Sequence, residues 1–519
     1  MGREQPRVLF IDCINSRRII SLGPYYLQAS LRQQGIDSTV LPVREGEEDA
    51  DLRRIADSNP DIIGLSVDIS NVEQSAALAT RLKERSSALI VAGGPHVTLE
   101  QRQFMVDYPC YDMLCVGEGE ETMLDIVRAV AAGKRPVDVS GTIVRDRGMV
   151  RHNGERPLIE DLDRLAFPAY ENIPFNGHIH PIITSRGCPW DCVFCCTKKL
   201  YSSRRWRARS PENVVEELRA IRARGFRRVG IWDDAFNTDV KRAKRIFELV
   251  IEADLGLQYS FPNGVRANCL DDELVRLMRR AGVIRIPFGV EDLDPEVSRG
   301  IGKNLKPETL AHACRLLHAH GYRTEAFMIL GLPGSTPAST LRSLRRLRAS
   351  GIDLARWYIA VPYTNTDLFR WVRDHATMLE HEEYGTGTWS SNPPVLFETA
   401  DFRKADRLRL FHFCNADMNN FLVLGGEAQR HKLWVALTIL ARVLRHRPHK
   451  LPRLLPWFVD AARNPMRAIF NEPFRPLSRA ERRAAEGSAR ANAARPSPRS
   501  TNWLPSESLR RGGRAANAL

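Results

Sequence analysis

Cysteine is scarce in this chain, with ten residues in 519. That is too few for a disulfide-stapled scaffold, and a chain that is 43% hydrophobic can bury a sizeable core without staples. No apolar run reaches the length needed to span a bilayer. The N-terminal stretch "MGREQPRVLFIDC" is charged and passes straight into a strand-like segment, so it lacks the pattern of a secretory leader. The expectation is a cytoplasmic protein whose cysteines serve as thiols or metal ligands. At this length the chain should divide into two to four domains.

The formal net charge of +14 is unevenly placed. From Arg475 onward ten arginines stand against Glu481, Glu486 and Glu507, so this tail carries about half of the excess. Its low hydrophobicity and high charge are those of a solvated, disordered segment, and no nucleic-acid partner is expected.

The first 145 residues alternate strand-like and helix-like periods. "RVLFID", "STVLPV", "DIIGLSVD" and "ALIVAGG" read as strands, and "GPYYLQASLRQQG" and "NVEQSAALATRLKER" as amphipathic helices. "DMLCVGEGEETMLDIVRAVAAG" adds a strand and a helix. This alternation describes a parallel sheet covered on both faces, with ligands at the carboxyl ends of the strands. Those ends carry Ser66, then "AGGPHVT" with Gly93 and Gly94, then "VGEGEET" with Gly117 and Gly119. The GxGxxG dinucleotide fingerprint is absent, because "DCINSRR" follows the first strand.

"GGPHVT" followed by "VGEGEET" resembles the cobalamin-binding domain that precedes the catalytic domain in cobalamin-dependent radical SAM proteins. One departure is that "DCINSRR" holds no histidine, so the resemblance implies cobalamin bound without a protein histidine on cobalt. It also implies that Ser66, Gly93, Gly94, Thr98, Gly117 and Gly119 line the nucleotide tail and corrin edge, and that the loop from Asn15 to Arg17 faces the lower side of cobalt. His96 is either a contact or a loop histidine bonded to backbone. Glu118 and Glu120 are either cofactor neighbours or first-turn acids of a helix.

"TSRGCPWDCVFCC" places four cysteines within residues 188–196. Cys188, Cys192 and Cys195 have the spacing CxxxCxxC. A zinc site would need a second cysteine or histidine pair, which is missing at suitable spacing downstream. Three thiolates on one short loop suit a 4Fe–4S cluster with one iron open. Cys196 is directed away from the three and reads as a packing residue.

This spacing is the signature of the radical SAM superfamily, in which the amino and carboxylate groups of S-adenosylmethionine (SAM) chelate the fourth iron. Downstream, successive βα units ("RRVGIWDDAF", "IRIPFGVED", "RTEAFMILGLPG") predict an open or full barrel. By the resemblance, Asp233 and Asp234 hold the SAM amino group and Glu291 lies near the ribose. Arg266 falls in the ribose-strand region, and Gly331 and Gly334 pass close to the adenine. Phe194 either packs near the adenine or belongs to the core. The aspartates have a second reading as helix caps and "GLPG" as a turn.

The expected division is a Rossmann-like cobalamin-binding domain (1–145), a linker (146–178), a radical SAM partial barrel (179–370), a helical substrate or cap region (371–474) and the basic tail (475–519). Tyr384, Trp389 and Cys414 fall in the region expected to close over substrate. The run Leu433–Leu444, flanked by basic residues, either packs on the barrel or at a dimer contact, or lies on a membrane surface. The resemblance implies a C-methyltransferase acting on an unactivated carbon of a secondary-metabolite or lipid-like small molecule. A 5′-deoxyadenosyl radical would abstract hydrogen, methylcobalamin would donate the methyl, and a flavodoxin or ferredoxin would supply electrons. The alternatives are a non-methylating enzyme with the same cofactors, such as a cyclase or ring-rearranging enzyme, and a non-catalytic cobalamin or redox sensor.

Overall fold

The computed structural model describes residues 5–14, 21–44, 48–169, 171, 179–379 and 393–419. Asn15, Arg17, Tyr384, Trp389, the run 433–444 and the tail lie outside the described residues.

The first lobe is a seven-stranded sheet, built from β1 (Val8–Ile14), β2 (Ser38–Arg44), β3 (Ile62–Ser66), β4 (Leu89–Gly93), β5 (Met113–Cys115), β6 (Thr142–Asp146) and β7 (Met149–His152). Their spatial order is β2-β1-β3-β4-β5-β6-β7. The first five are parallel. Strand direction of growth reverses at β1, so the crevice between the ends of β1 and β3 is the switch point where such sheets hold ligands. β3 and β4 are continuous apolar runs because helices cover both faces.

The sheet does not stop at residue 145, nor is it wholly parallel. β6 and β7 form an antiparallel hairpin whose two turn residues, Arg147 and Gly148, both have positive φ (48° and 79°). A two-residue hairpin turn needs that backbone. The "DRGM" turn escaped a reading based on strand–helix alternation.

The second lobe is a partial barrel of parallel strands in two arcs. One arc holds His180–Ile182, Arg228–Ile231, Gln258–Ser260 and Val283–Arg285. The other holds Pro287–Glu291, Glu325–Leu330 and Leu354–Ile359. A single parallel bridge, Val265 to Phe288, joins them. Among the described residues no pairing joins the first strand to the last, so the barrel is open.

Helix starts follow local chemistry. The helix Pro211–Ala223 has Ser210 as its cap, accepting from the Asn213 amide at 3.2 Å, and proline at its first position. The helix Val240–Ala253 is capped by Asp239, so Asp233 and Asp234 are not its caps. A long core runs from the barrel interior onto one face of the first sheet, and a second core covers the other face. A third, small cluster (Val297, Ile301, Leu332, Ala360, Leu368, Phe397) lies beneath the cysteine loop. Phe194 packs on it, which is the core reading of that residue.

Candidate functional site

The cysteine loop leaves the strand His180–Ile182 through Thr184, Ser185, Arg186 and Gly187. Asp233, just past the neighbouring strand, sets this exit. It accepts from the Thr184 amide, the Thr184 hydroxyl and the Ser185 hydroxyl, each at 2.6 Å. Both of its oxygens are therefore engaged by the loop's own stem, in a site that is 2% exposed. Asp234 accepts from the Gly187 amide at 3.2 Å and from the Thr197 hydroxyl at 3.3 Å. Although the residue is exposed, the protein packed around its carboxyl pushes it up to about 6. Of the aspartate pair, Asp233 supports the loop and Asp234 faces the thiols.

Gly187 is required here. Its φ is +85°, and a Cβ would stand 2.2 Å from the Arg205 carbonyl oxygen. The loop's far side is tied to the barrel. The Val193 amide donates to the Ile301 carbonyl at 3.1 Å, and the Leu368 amide donates to the Val193 carbonyl at 2.8 Å.

Cys188, Cys192 and Cys195 are free thiols within electrostatic reach of one another. Burial pushes Cys188 up to about 11 and raises the other two. Such thiols become ligands when a metal displaces their protons. Among the described residues no group closes on a point at the spacing of a single metal ion. Three cysteines on one short loop are the donor set of a 4Fe–4S cluster with one iron left open. Cys196 caps the short helix Thr197–Leu200 and is part-buried beside Cys195.

Charged groups ring the loop. Cys192 feels Lys303, Glu291 and Arg266, and Cys195 feels Asp234 and Glu291. Glu291 ends its strand at φ +69°, at a register shift in the ladder, and it pairs with Lys303 at 3.3 Å. A glutamate in left-handed backbone stores strain, and such strain gathers at functional sites. Gly289 leaves room for the pair, since a Cβ there would lie 2.9 Å from Glu291 Oε1. The Arg266 guanidinium sits 3.9 Å over the Trp190 ring and donates to the Lys303 carbonyl at 3.4 Å. Gly331 and Gly334 both take positive φ, with open space about Gly334. Sequence reasoning missed Lys303, which no motif marks.

On the first lobe, Gly93, Gly94, Gly117 and Gly119 stand at the ends of β4 and β5 as expected. Gly94 is fixed by packing, because at φ +107° a Cβ would meet the Val67 carbonyl oxygen at 2.7 Å. Gly119 lies against Leu27 and Cys115, while Gly117 opens onto free space. The Thr98 hydroxyl is used to close the loop, accepting from the Gly117 amide at 3.1 Å. Ser66 ends β3 at the switch point, and its carbonyl accepts from Asn71 at 3.2 Å. His96 is half-buried with an edge on Phe104, and burial pulls it below its usual range.

Glu118 is engaged across the join of the two lobes. It accepts from Arg186 at 2.7 Å, from Arg207 at 2.8 Å and from the Ile159 amide at 2.8 Å. Burial works against its charge, but the two arginines bring its carboxyl below the ordinary range. Glu120 accepts from the second Arg186 nitrogen at 2.6 Å. The β5 loop is thereby locked to the stem of the cysteine loop. A second bridge joins Asn365, past the last barrel strand, to the Leu99 carbonyl at 2.5 Å. Tyr363, on the same segment, is within reach of Cys195 and Cys196 on one side and Asp68 on the other.

A doubly wound lobe and an open barrel thus meet with their strand ends around three free thiols, the architecture of a two-cofactor enzyme. The radical SAM superfamily model matches residues 182–354 and the B12-binding domain model residues 17–127. An uncharacterised methyltransferase of Pyrococcus horikoshii is 30% identical over 359 residues, covering 67% of this chain and 78% of the relative. The anaerobic magnesium-protoporphyrin IX monomethyl ester cyclase of Rubrivivax gelatinosus is 29% identical over 389 residues, covering 72% of this chain and 69% of the relative. The fold is that of the cobalamin-dependent radical enzyme OxsB, with TM-score 0.65 at 17% identity over 94% of this chain and 79% of that one. The chain belongs to the cobalamin-binding radical SAM family. It is an enzyme, and its cofactors are those of the family: a 4Fe–4S cluster, SAM and cobalamin. No helix of the described residues is long and apolar enough to cross a membrane.

Proposed function

We propose that this enzyme methylates an unactivated carbon of a small-molecule substrate, of secondary-metabolite or lipid-like character. The observation that carries the reading is the clamp of Arg186 on Glu118 and Glu120, which fastens the β5 loop of the cobalamin lobe to the stem of the cysteine loop. Two reactive centres must share one pocket for a methyl to pass between them.

Cys188, Cys192 and Cys195 are the residues that would hold the cluster. Asp234, Glu291 and Arg266, with Lys303 added, would hold SAM, and Gly334, with open space around it, would let its adenine approach the backbone. Asp233 would act through Thr184 and Ser185 as a positioning residue. The crevice from Ser66 through Gly93, His96 and Gly117 would hold cobalamin. When bound, the cluster and SAM supply hydrogen abstraction and the cobalamin supplies the methyl group. The chain's own part is to orient the two centres and exclude water. Glu291 and Lys303 are buried beside the cysteine loop, where each charge acts more strongly than in water.

The division 1–145, 146–178, 179–370, 371–474 and 475–519 serves as the working domain map, with the first boundary moved past the hairpin to residue 152. An external flavodoxin or ferredoxin would supply electrons in the cytoplasm. Peripheral membrane contact through residues 433–444 would suit a lipid-like substrate.

A second reading, oxidative cyclisation without methyl transfer, is favoured by the cyclase likeness, which covers slightly more of this chain than the methyltransferase does. The test begins with protein purified without oxygen, its cluster rebuilt and cobalamin added. Retention of about four irons and one cobalamin per chain supports the two-cofactor site. Methyl-labelled SAM then separates the readings. Label in the product supports methylation, and turnover with unlabelled product favours cyclisation.

A further inference from the structure

Arg407 lies in the helix Lys404–Asn419, which packs along the last barrel strand, Leu354–Ile359. Its side chain is buried, with 1% exposure. Nε donates to the Phe402 carbonyl at 3.1 Å, and the guanidinium lies 4.3 Å from the Phe397 ring centre and 5.2 Å from that of Phe402. Nη1 is buried without a hydrogen-bond partner among the described residues. The carboxylate whose field reaches it is Glu398. That group is already taken, by Arg403 at 2.9 Å and by the Lys404 amide at 2.8 Å. Burial accordingly pulls Arg407 down to about 10.

The unpartnered nitrogen abuts a strand end. Gly331 follows the strand Glu325–Leu330 at φ +85°, and a Cβ there would lie 2.4 Å from Nη1 and 2.7 Å from Cζ. The guanidinium fills the space that any side chain at 331 would occupy. This is the carboxyl end of the barrel strands, where barrels hold their ligands. A buried guanidinium with no carboxylate bonded to it among the described residues is costly, and two aromatic faces offset only part of that cost. Its fork matches a carboxylate or phosphate in two-point contact.

We propose that Arg407 receives the carboxylate or phosphate of a small molecule bound over the barrel mouth. The inference rests on the barrel mouth being the ligand site, as in the reading above. The anion has two sources, an acidic group of the substrate or the carboxylate of SAM. Arg407 would thus make the C-terminal helix part of the binding site, selecting for an anionic ligand.

The test uses full-length protein and inorganic phosphate as the probe. Thermal midpoints are measured against phosphate at constant ionic strength, for wild type and Arg407→Met. A wild-type midpoint that climbs with phosphate, beside an Arg407→Met midpoint that does not, is the expected result. No wild-type response, or an equal response in the variant, would overturn the proposal. If Arg407→Met does not fold, Arg407→Lys decides. Loss of the fork should weaken the apparent phosphate affinity by about fivefold or more, and unchanged affinity overturns the proposal.

The source is read by SAM binding to the cluster-loaded protein, in an equilibrium assay independent of turnover. Weakening of about tenfold in Arg407→Met for SAM, but not for its decarboxylated analogue, assigns the anion to SAM. Unchanged SAM binding, alongside the lost phosphate response, assigns it to the substrate. Iron and cobalt contents are recorded on the same samples. A chain that keeps neither cofactor sinks the functional reading, and the phosphate response of Arg407 stands or falls separately.

Discussion

Arg186 donates to Glu118 at 2.7 Å, across the boundary between the two lobes and two residues before Cys188. The pair is 11% and 7% exposed, and Glu118 also serves Arg207. Removing one partner of a buried ion pair leaves the others uncompensated, at a cost of about 3 to 5 kcal/mol. Glu118→Ala should lose stability of that order in urea unfolding. Glu121→Ala, whose contacts to Arg156 and Arg164 are more open to solvent, should lose less than about 1 kcal/mol. Equal losses would mean that the clamp is no stronger than a surface pair.

The proposed cluster ligands are separable from their neighbour. Alanine at Cys188, Cys192 or Cys195 should abolish iron retention and the broad visible absorption of a reconstituted sample. Cys196→Ala should keep both, because Cys196 caps a helix beside Cys195. Iron loss from the Cys196 variant would move the ligand set.

Gly187→Ala places a Cβ within 2.2 Å of a backbone oxygen at φ +85°. The loop stem must shift, and the expected penalty is about 2 kcal/mol or more. The thermal midpoint should fall, and the iron content with it. Gly35→Ala, at φ +71° with open space around it, carries only the backbone strain and should cost less.

Asp12 gives the first lobe a pH dependence. It is fully buried near the end of β1, accepting from Tyr25 and the Ser21 amide, each at 3.2 Å, and burial pushes its carboxyl up to about 7 from an ordinary 3.8. The folded state holds this proton where the unfolded chain has released it. Its contribution is therefore complete below pH 3.8 and fades as the pH rises to about 7, at up to about 1.4 kcal/mol per pH unit. Stability measured by denaturant should fall less steeply over that window in Asp12→Asn. Superimposable profiles would contradict the assignment.

The cluster spacing was legible because it is local: three thiols on one loop declare themselves in eight residues. The parallel strands were legible through their apolar periods, and Ser210 through its proline. What escaped depends on pairing across long separations. Glu118 sits beside the cofactor-loop glycines in sequence, but its charge is claimed by residues 68 and 89 positions away. Asp233 and Asp234 look alike in a motif, while the backbone turns one toward Thr184 and the other toward Thr197. Lys303 and Arg407 belong to no motif, and only the closing of the barrel brings them to the strand ends.

The clamp also bears on how the protein is made. Arg186 and Arg207 lie on the barrel side of the join, and the acids that neutralise them are synthesised earlier, in the first lobe. A barrel emerging without that lobe would carry two unpaired cations at the stem of its own metal-binding loop. The cobalamin lobe thus presents the charges against which the stem of the cysteine loop is seated.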